Sequence, residues 1–165
     1  MGKQSTEKLV SGSEPALENL LPGLKPRYLI GRRIPMSFEG KVVLITGGAQ
    51  GIGKAMALHF LQLKAAVVIA DRDAEAGRET NQEYESLGWI RFIETDISHE
   101  EQVNSLFQQI LNLQGRLDVL INNAGIGIFK PMRDLRLEEW NQVMGTNLTG
   151  AFLCAKYASP HLEKT

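Results

Sequence analysis

The sequence predicts a doubly wound α/β fold: a parallel sheet of about four strands with helices on both faces. Three observations carry that prediction. Short apolar runs of buried-strand type recur at 42–45, 66–70, 89–93 and 117–121. Stretches with helical periodicity separate them, which is the pattern of right-handed βαβ units. The first run also leads straight into a glycine-dense turn, Thr46-Gly47-Gly48-Ala49-Gln50-Gly51-Ile52-Gly53, after which a helix begins.

Each element has a local reason. In the first helix Ile52, Met56, Phe60 and Leu63 recur at helical spacing and form the expected inward stripe, with His59 at its boundary. The second strand ends at Asp71. Asp73 can cap the next helix, which Gly88 is expected to end. Ser98 and Glu101 form a capping box before a helix that turns Val103, Phe107, Ile110 and Leu111 inward. The fourth strand ends at Asn122-Asn123-Ala124-Gly125. A last helix starts near Leu137 or Glu138, with Trp140, Met144, Leu148, Ala151 and Ala155 expected on one face.

Residues 1–35 read differently. They hold four of the six prolines (Pro15, Pro22, Pro26 and Pro35), show no sustained periodicity, and are expected to be a flexible extension dispensable for the fold. The domain is expected to span 36–165, with Met36 as a natural start. Glu7, Glu14 and Glu18 argue against a transit peptide. The 165 residues suffice for one domain with a substantial core, and 43% hydrophobic with 22% charged residues is ordinary globular composition. A net charge of −1 gives no electrostatic case for nucleic acid or an anionic membrane. No apolar run approaches the roughly 18–20 residues that span a bilayer. The one cysteine, Cys154, reads as a small buried helix residue in a reducing compartment. A soluble, cytoplasmic protein is expected, without a metal.

In a parallel sheet of this kind the ligand lies beyond the carboxyl ends of the strands. Four features fall there: the glycine turn, Asp71, Asp96-Ile97 and Asn122–Gly125. A glycine turn at a helix N-terminus presents unpaired N–H groups and a favourable dipole to a phosphate. One glycine permits the tight turn, one lets a pyrophosphate approach, and one lets helix and strand pack closely. The spacing is G-x-x-x-G-x-G, so the generic dinucleotide fingerprint is not met. Asp71 lies 24 positions beyond Gly47, close to the roughly 20-residue interval of an acid that accepts from a ribose 2′-hydroxyl. Its charge would repel a 2′-phosphate, which favours NAD over NADP. Arg72 is the counter-observation, since it could meet that phosphate or simply remain solvated.

These residues together resemble the short-chain dehydrogenase/reductase family. Residues 46–53 are similar to its TGxxxGxG motif, 122–125 to its NNAG motif, Asp96-Ile97 to its adenine-contacting pair, and Asn147 to its helix asparagine. The resemblance covers 37–165. It implies a Rossmann-type nucleotide-binding domain, here incomplete, with strand order 3-2-1-4, and an oxidoreductase that moves a hydride between NAD(P) and an alcohol or carbonyl. Gly47, Gln50, Gly51 and Ile52 would contact the pyrophosphate and its ribose, with Gly53 in the same motif. Asp71 would take the adenine ribose, and Asp96 and Ile97 the adenine. Asn123, Ala124 and Gly125 would support the sheet and the middle of the cofactor. Asn147 would hold the water of a proton relay, or satisfy backbone groups at a helix kink.

The family's chemistry needs a tyrosine with a lysine one helical turn on, plus a serine. Four residues after Tyr28, Tyr84 and Tyr157 stand Arg32, Gly88 and His161, so no such pair is present. The chain is therefore expected to be a truncated oxidoreductase, not catalytically competent alone. It is also expected to be marginally stable and self-associating through an exposed fourth strand. The other reading is a non-catalytic nucleotide-binding or oligomerisation module, joined to relatives through its last helix. Truncation is simpler, because Asn147 has no evident use in a pure binder.

Overall fold

The computed structural model describes residues 37–163, and the expected extension over 1–35 lies outside them. Four strands, β1 (Val42–Thr46), β2 (Ala66–Asp71), β3 (Ile90–Glu94) and β4 (Val119–Ile121), form one parallel sheet ordered β3-β2-β1-β4. This is the predicted order. β1 is central, with Leu44 opposite both Val68 and Leu120.

Alternate residues of the strands feed two cores. Val43, Ile45, Val67 and Ile69 pack beneath Ala57 and Leu61 of α1 (Gly51–Gln62) and Tyr84 of α2 (Ala74–Tyr84). Val42, Leu44, Val68 and Ala70 meet Val103, Leu106, Phe107 and Ile110 of α3 (Glu100–Gln114) on the other face. That face also takes Leu153, Cys154 and Ala158 of α5 (Ala151–Leu162). Each such fully buried aliphatic side chain contributes roughly 1.5–3 kcal/mol, which is why the central strands read as unbroken apolar runs.

The structure corrects four local expectations. The buried stripe of α1 is Gly53, Ala57 and Leu61; Met56 and Phe60 pack beside it half-buried, and Ile52 is 75% exposed. This helix start lies against backbone, so small residues face it where bulk was expected. Helix α2 stops at Tyr84, four residues short of Gly88. The Ser98–Glu101 capping box does not form: His99 is the N-cap of α3, and Ser98 turns back to Asp96. An Asx-type turn competes with the cap for the same hydroxyl. The last helix is two helices, α4 (Leu137–Met144) and α5, joined by a π-helical turn over Gly145–Gly150. A π turn carries an extra residue and rotates everything downstream. Leu148, within the turn, and Ala155, after it, consequently face solvent, while Leu153, Cys154 and Ala158 face the core; Trp140, on α4 ahead of the turn, is exposed too.

The two sheet edges differ. On β3, Asn81 Oδ1 accepts from the Phe92 N–H (2.8 Å), with Arg91 and Glu94 exposed beside it. On β4 the three residues are Val, Leu and Ile, all half-buried. At the opposite end of the sheet from the glycine turn, Asp118 ties β1 to β4. Its carboxylate, 3% exposed, accepts from the Val42 N–H (2.9 Å), Lys41 Nζ (3.0 Å) and the Arg116 guanidinium. Burial opposes that charge, but the three donors outweigh it and hold the Asp118 pKa below its ordinary value. Among the described residues no helix is long and apolar enough to cross a membrane, and no three His, Cys, Asp or Glu are grouped to hold a metal.

Candidate functional site

The glycine turn is held in place by three neighbours. From β2, the Ala70 carbonyl accepts from the Gly47 N–H (2.7 Å). From the loop after β4, Asn123 Nδ2 donates to the carbonyls of Thr46 and Gly47, both at 3.0 Å. From α2, Thr80 Oγ1 donates to the Ala49 carbonyl (2.7 Å). A methyl group on Gly53 would lie 2.0 Å from the Gly47 carbonyl oxygen, so only glycine lets α1 start this close to β1. Gly51 has φ +56 with open space where a Cβ would be. Gln50 caps α1 without a side-chain hydrogen bond, and no acidic residue occupies its first turn. The helix N-terminus therefore keeps its positive field unopposed.

Asp71, at the tip of β2, has both oxygens engaged by backbone: Oδ2 accepts from the Ala49 N–H and Oδ1 from the Asp73 N–H, each at 3.1 Å. Asp73 in turn caps α2 by accepting from the Ala76 N–H, as the sequence predicts. Arg72 is exposed. At the next loop Asp96 Oδ1 accepts from the Ser98 N–H (2.9 Å) and hydroxyl (2.6 Å). Partial burial pulls the Asp96 pKa upward, but the Ser98 hydrogen bonds and the His99 and Arg72 charges outweigh it and hold it below the ordinary value. Ile97 is buried against Gly150 of the π turn.

After β4 the chain passes Thr46, whose fully buried Oγ1 accepts from the N–H groups of Asn123 and Ala124, both at 3.1 Å. The same hydroxyl donates to the Ile121 carbonyl (3.3 Å). Asn147, in the π turn, grips one residue from both sides: its Oδ1 accepts from the Ile126 N–H (2.8 Å) and its Nδ2 donates to the Ile126 carbonyl (2.9 Å). Further along, Glu139 of α4 accepts from Lys130 Nζ at 2.6 and 2.7 Å and from the Arg136 N–H at 2.9 Å. These bonds, with Lys130 the largest influence, hold the Glu139 pKa down to about 2.

The four loops enclose a cleft of about 390 Å³. Gly47, Gln50, Ile52, Asp71 and Arg72 line one side of it. Asp96, Ile97, Asn123, Ala124 and Gly125 line the rest. Of the residues singled out from the sequence, Gly51, Gly53 and Asn147 do not line it: Gly53 packs the helix start and Asn147 holds Ile126. Asp73, Ile126 and Thr146 line it without having been singled out. Thr46 and Thr80 were also missed as supports. For Thr46 a signal existed, since a polar β-branched residue closes an otherwise apolar strand. For Thr80, 31 residues from its partner, there was none.

Comparison with known proteins identifies the family. The sequence model of the short chain dehydrogenase family matches residues 41–165. An uncharacterized oxidoreductase of Thermotoga maritima is 39% identical over 127 residues, covering 76% of this chain and 50% of that protein. Pseudomonas aeruginosa RhlG, solved in an active-site complex with NADP, matches with TM-score 0.74 and 35% identity over 78% of this chain and 50% of its own. The 3-ketoacyl-(acyl-carrier-protein) reductase of Brucella melitensis, complexed with NADH, matches with TM-score 0.73 and 35% identity over 78% of this chain and 52% of its own. This chain spans about half the length of the curated relatives it matches. With its strand order, its glycine turn and a family match over all but the first 40 residues, the chain belongs to the short chain dehydrogenase family.

Proposed function

We propose that the cleft holds the adenosine and pyrophosphate end of a nicotinamide dinucleotide, in an oxidoreductase acting on an alcohol or carbonyl. The observation that carries this reading is the convergence of the four strand-end loops on one cleft beside an uncapped helix N-terminus. The residues present suit such a group. Where α1 begins, Gly47, Gln50 and Ile52 line the cleft, and the dipole there favours a phosphate. Asp71 offers carboxylate oxygens to a ribose hydroxyl, and Asp96 and Ile97 form a wall for the adenine. When bound, the nicotinamide supplies or accepts the hydride. Asn147 fixes Ile126 and with it the loop that would flank the middle of the cofactor, so its part in any proton relay is to position that loop.

Asp71 supports NAD over NADP, because a 2′-phosphate placed against it would meet a like charge. Relatives solved with NADP and with NADH both occur, so the preference rests on Asp71 itself. Calorimetric titration tests the reading. Heat on titration with NAD is expected, with NADP weaker, and no heat at millimolar NAD would overturn it. Asp71→Ala should weaken NAD by about tenfold or more, the value of a hydrogen bond to a charged group plus the loosened turn, and should weaken NADP less, so that the preference between the two narrows or reverses. The same reading has the chain associate with copies of itself. Phe129, Met132, Leu137, Trp140, Leu148 and Phe152 support this: all are exposed, and all follow β4.

A further inference from the structure

Ala49 sits in the middle of the glycine turn, and the two peptides that flank its Cα are each gripped by a group remote in sequence. Its N–H donates to Asp71 Oδ2 (3.1 Å), and its carbonyl accepts from Thr80 Oγ1 (2.7 Å). Thr80 is 1% exposed and lies on α2, where threonine is a weak helix former. Helix α2 is itself anchored to the same carboxylate. Asp71 Oδ1 accepts from the Asp73 N–H, and Asp73 caps α2 at Ala76. The bonds therefore close a ring that runs from the turn to Asp71, through Asp73 into α2, and back through Thr80 to the turn.

We propose that Thr80 is a positioning residue for the dinucleotide. From α2 it fixes the Ala49 carbonyl and thereby the orientation of the peptides at the start of α1, where the pyrophosphate would lie. The inference rests on the cofactor reading of the cleft. It adds that Asp71 serves the ribose and the ring at once. Each planar peptide flanking the Ala49 Cα is fixed by one of these bonds. Without the hydroxyl the Ala49–Gln50 peptide, which leads into α1, is free to rotate about its flanking bonds, so its loss releases that end of the turn while Asp71, Asp96 and Ile97 stay in place.

The test compares Thr80→Val, of equal shape without the hydroxyl, and Thr80→Ser, which keeps it, in the full chain. Thr80→Val should bind NAD and ADP about tenfold more weakly and adenosine within about twofold of the unaltered chain, with Thr80→Ser restoring all three. Without ligand, exchange of the Ala49 amide hydrogen should accelerate in Thr80→Val and not in Thr80→Ser. Equal weakening of adenosine would mean general damage to the site and would overturn the positioning role. So would unchanged Ala49 exchange. Failure of the unaltered chain to bind NAD or ADP overturns the cofactor reading, and the positioning role with it. Binding by the unaltered chain that Thr80→Val leaves intact overturns the positioning role alone. If Thr80→Val does not fold, Thr80→Ala, which leaves room for a water at the carbonyl, carries the same comparison.

Discussion

Two glycines two positions apart make opposite demands. At Gly53 the backbone angle is ordinary, but any Cβ would collide with the Gly47 carbonyl and with Asn123. At Gly51 there is room, but φ is +56. Gly53→Ala should therefore cost about 3 kcal/mol in urea unfolding, since rigid backbone has to move. Gly51→Ala should cost about 1–2 kcal/mol, the penalty of left-handed backbone, and leave the turn where it is. Thr46 poses a different question. Thr46→Val preserves its shape but takes the acceptor from two amides, and should cost about 1–3 kcal/mol for each donor left unpaired. Nuclear magnetic resonance should then show the Asn123 and Ala124 amides exchanging faster, with the β1 ladder unaffected.

The run from β4 to α5 depends on pinned elements more than on buried ones. Helix α4 has no fully buried residue, and its first turn is held to the preceding loop by Glu139 with Lys130 and Arg136. Because the Glu139 pKa is lowered, the clasp is fully present above the ordinary carboxyl value of 4.5 and is lost as pH falls through about 2. A carboxyl-carbon titration should place its midpoint near the lower figure. Glu139→Gln should raise amide exchange across 126–136 by up to about fivefold, as expected for a surface ion pair. The sequence reveals strands, their order and the loops that meet at the cleft, because buried parallel strands and glycine turns leave dense local signals. It does not reveal helix faces. Apolar bulk selects Ile52 over Gly53 and Ala57, although close helix–strand packing wants the small residues inward. A constant period carries Leu148 and Ala155 into the core, although the π turn at Gly145–Gly150 breaks that period. Ser98 shows the same limit at a cap, where a hydroxyl with two available partners takes the local one.

Among the described residues, six of the ten exposed large apolar side chains follow β4. β3 is guarded by Asn81, Arg91 and Glu94, while β4 and the segments after it leave Val, Leu, Trp and Phe residues open. Sedimentation at rising concentration should show association, and Trp140→Glu with Phe152→Glu should reduce it; a concentration-independent monomer would refute the reading. Acid should weaken the sheet at its other end. The lowered pKa of Asp118 means that its contribution is complete above the ordinary value of 3.8 and vanishes as pH falls through the lower folded value. Asp118→Asn should cost about 1–3 kcal/mol at neutral pH, a difference that shrinks in acid. The single cysteine makes such changes measurable in another way. Cys154 is buried on α5 against the core, and burial pushes its thiol up to about 11. It should resist alkylation in the closed molecule and react only when α5 lifts away. Its labelling rate, divided by that of a free thiol at the same pH, is then the opening equilibrium of that helix. The chain thus carries a built-in clock for the docking of its last helix.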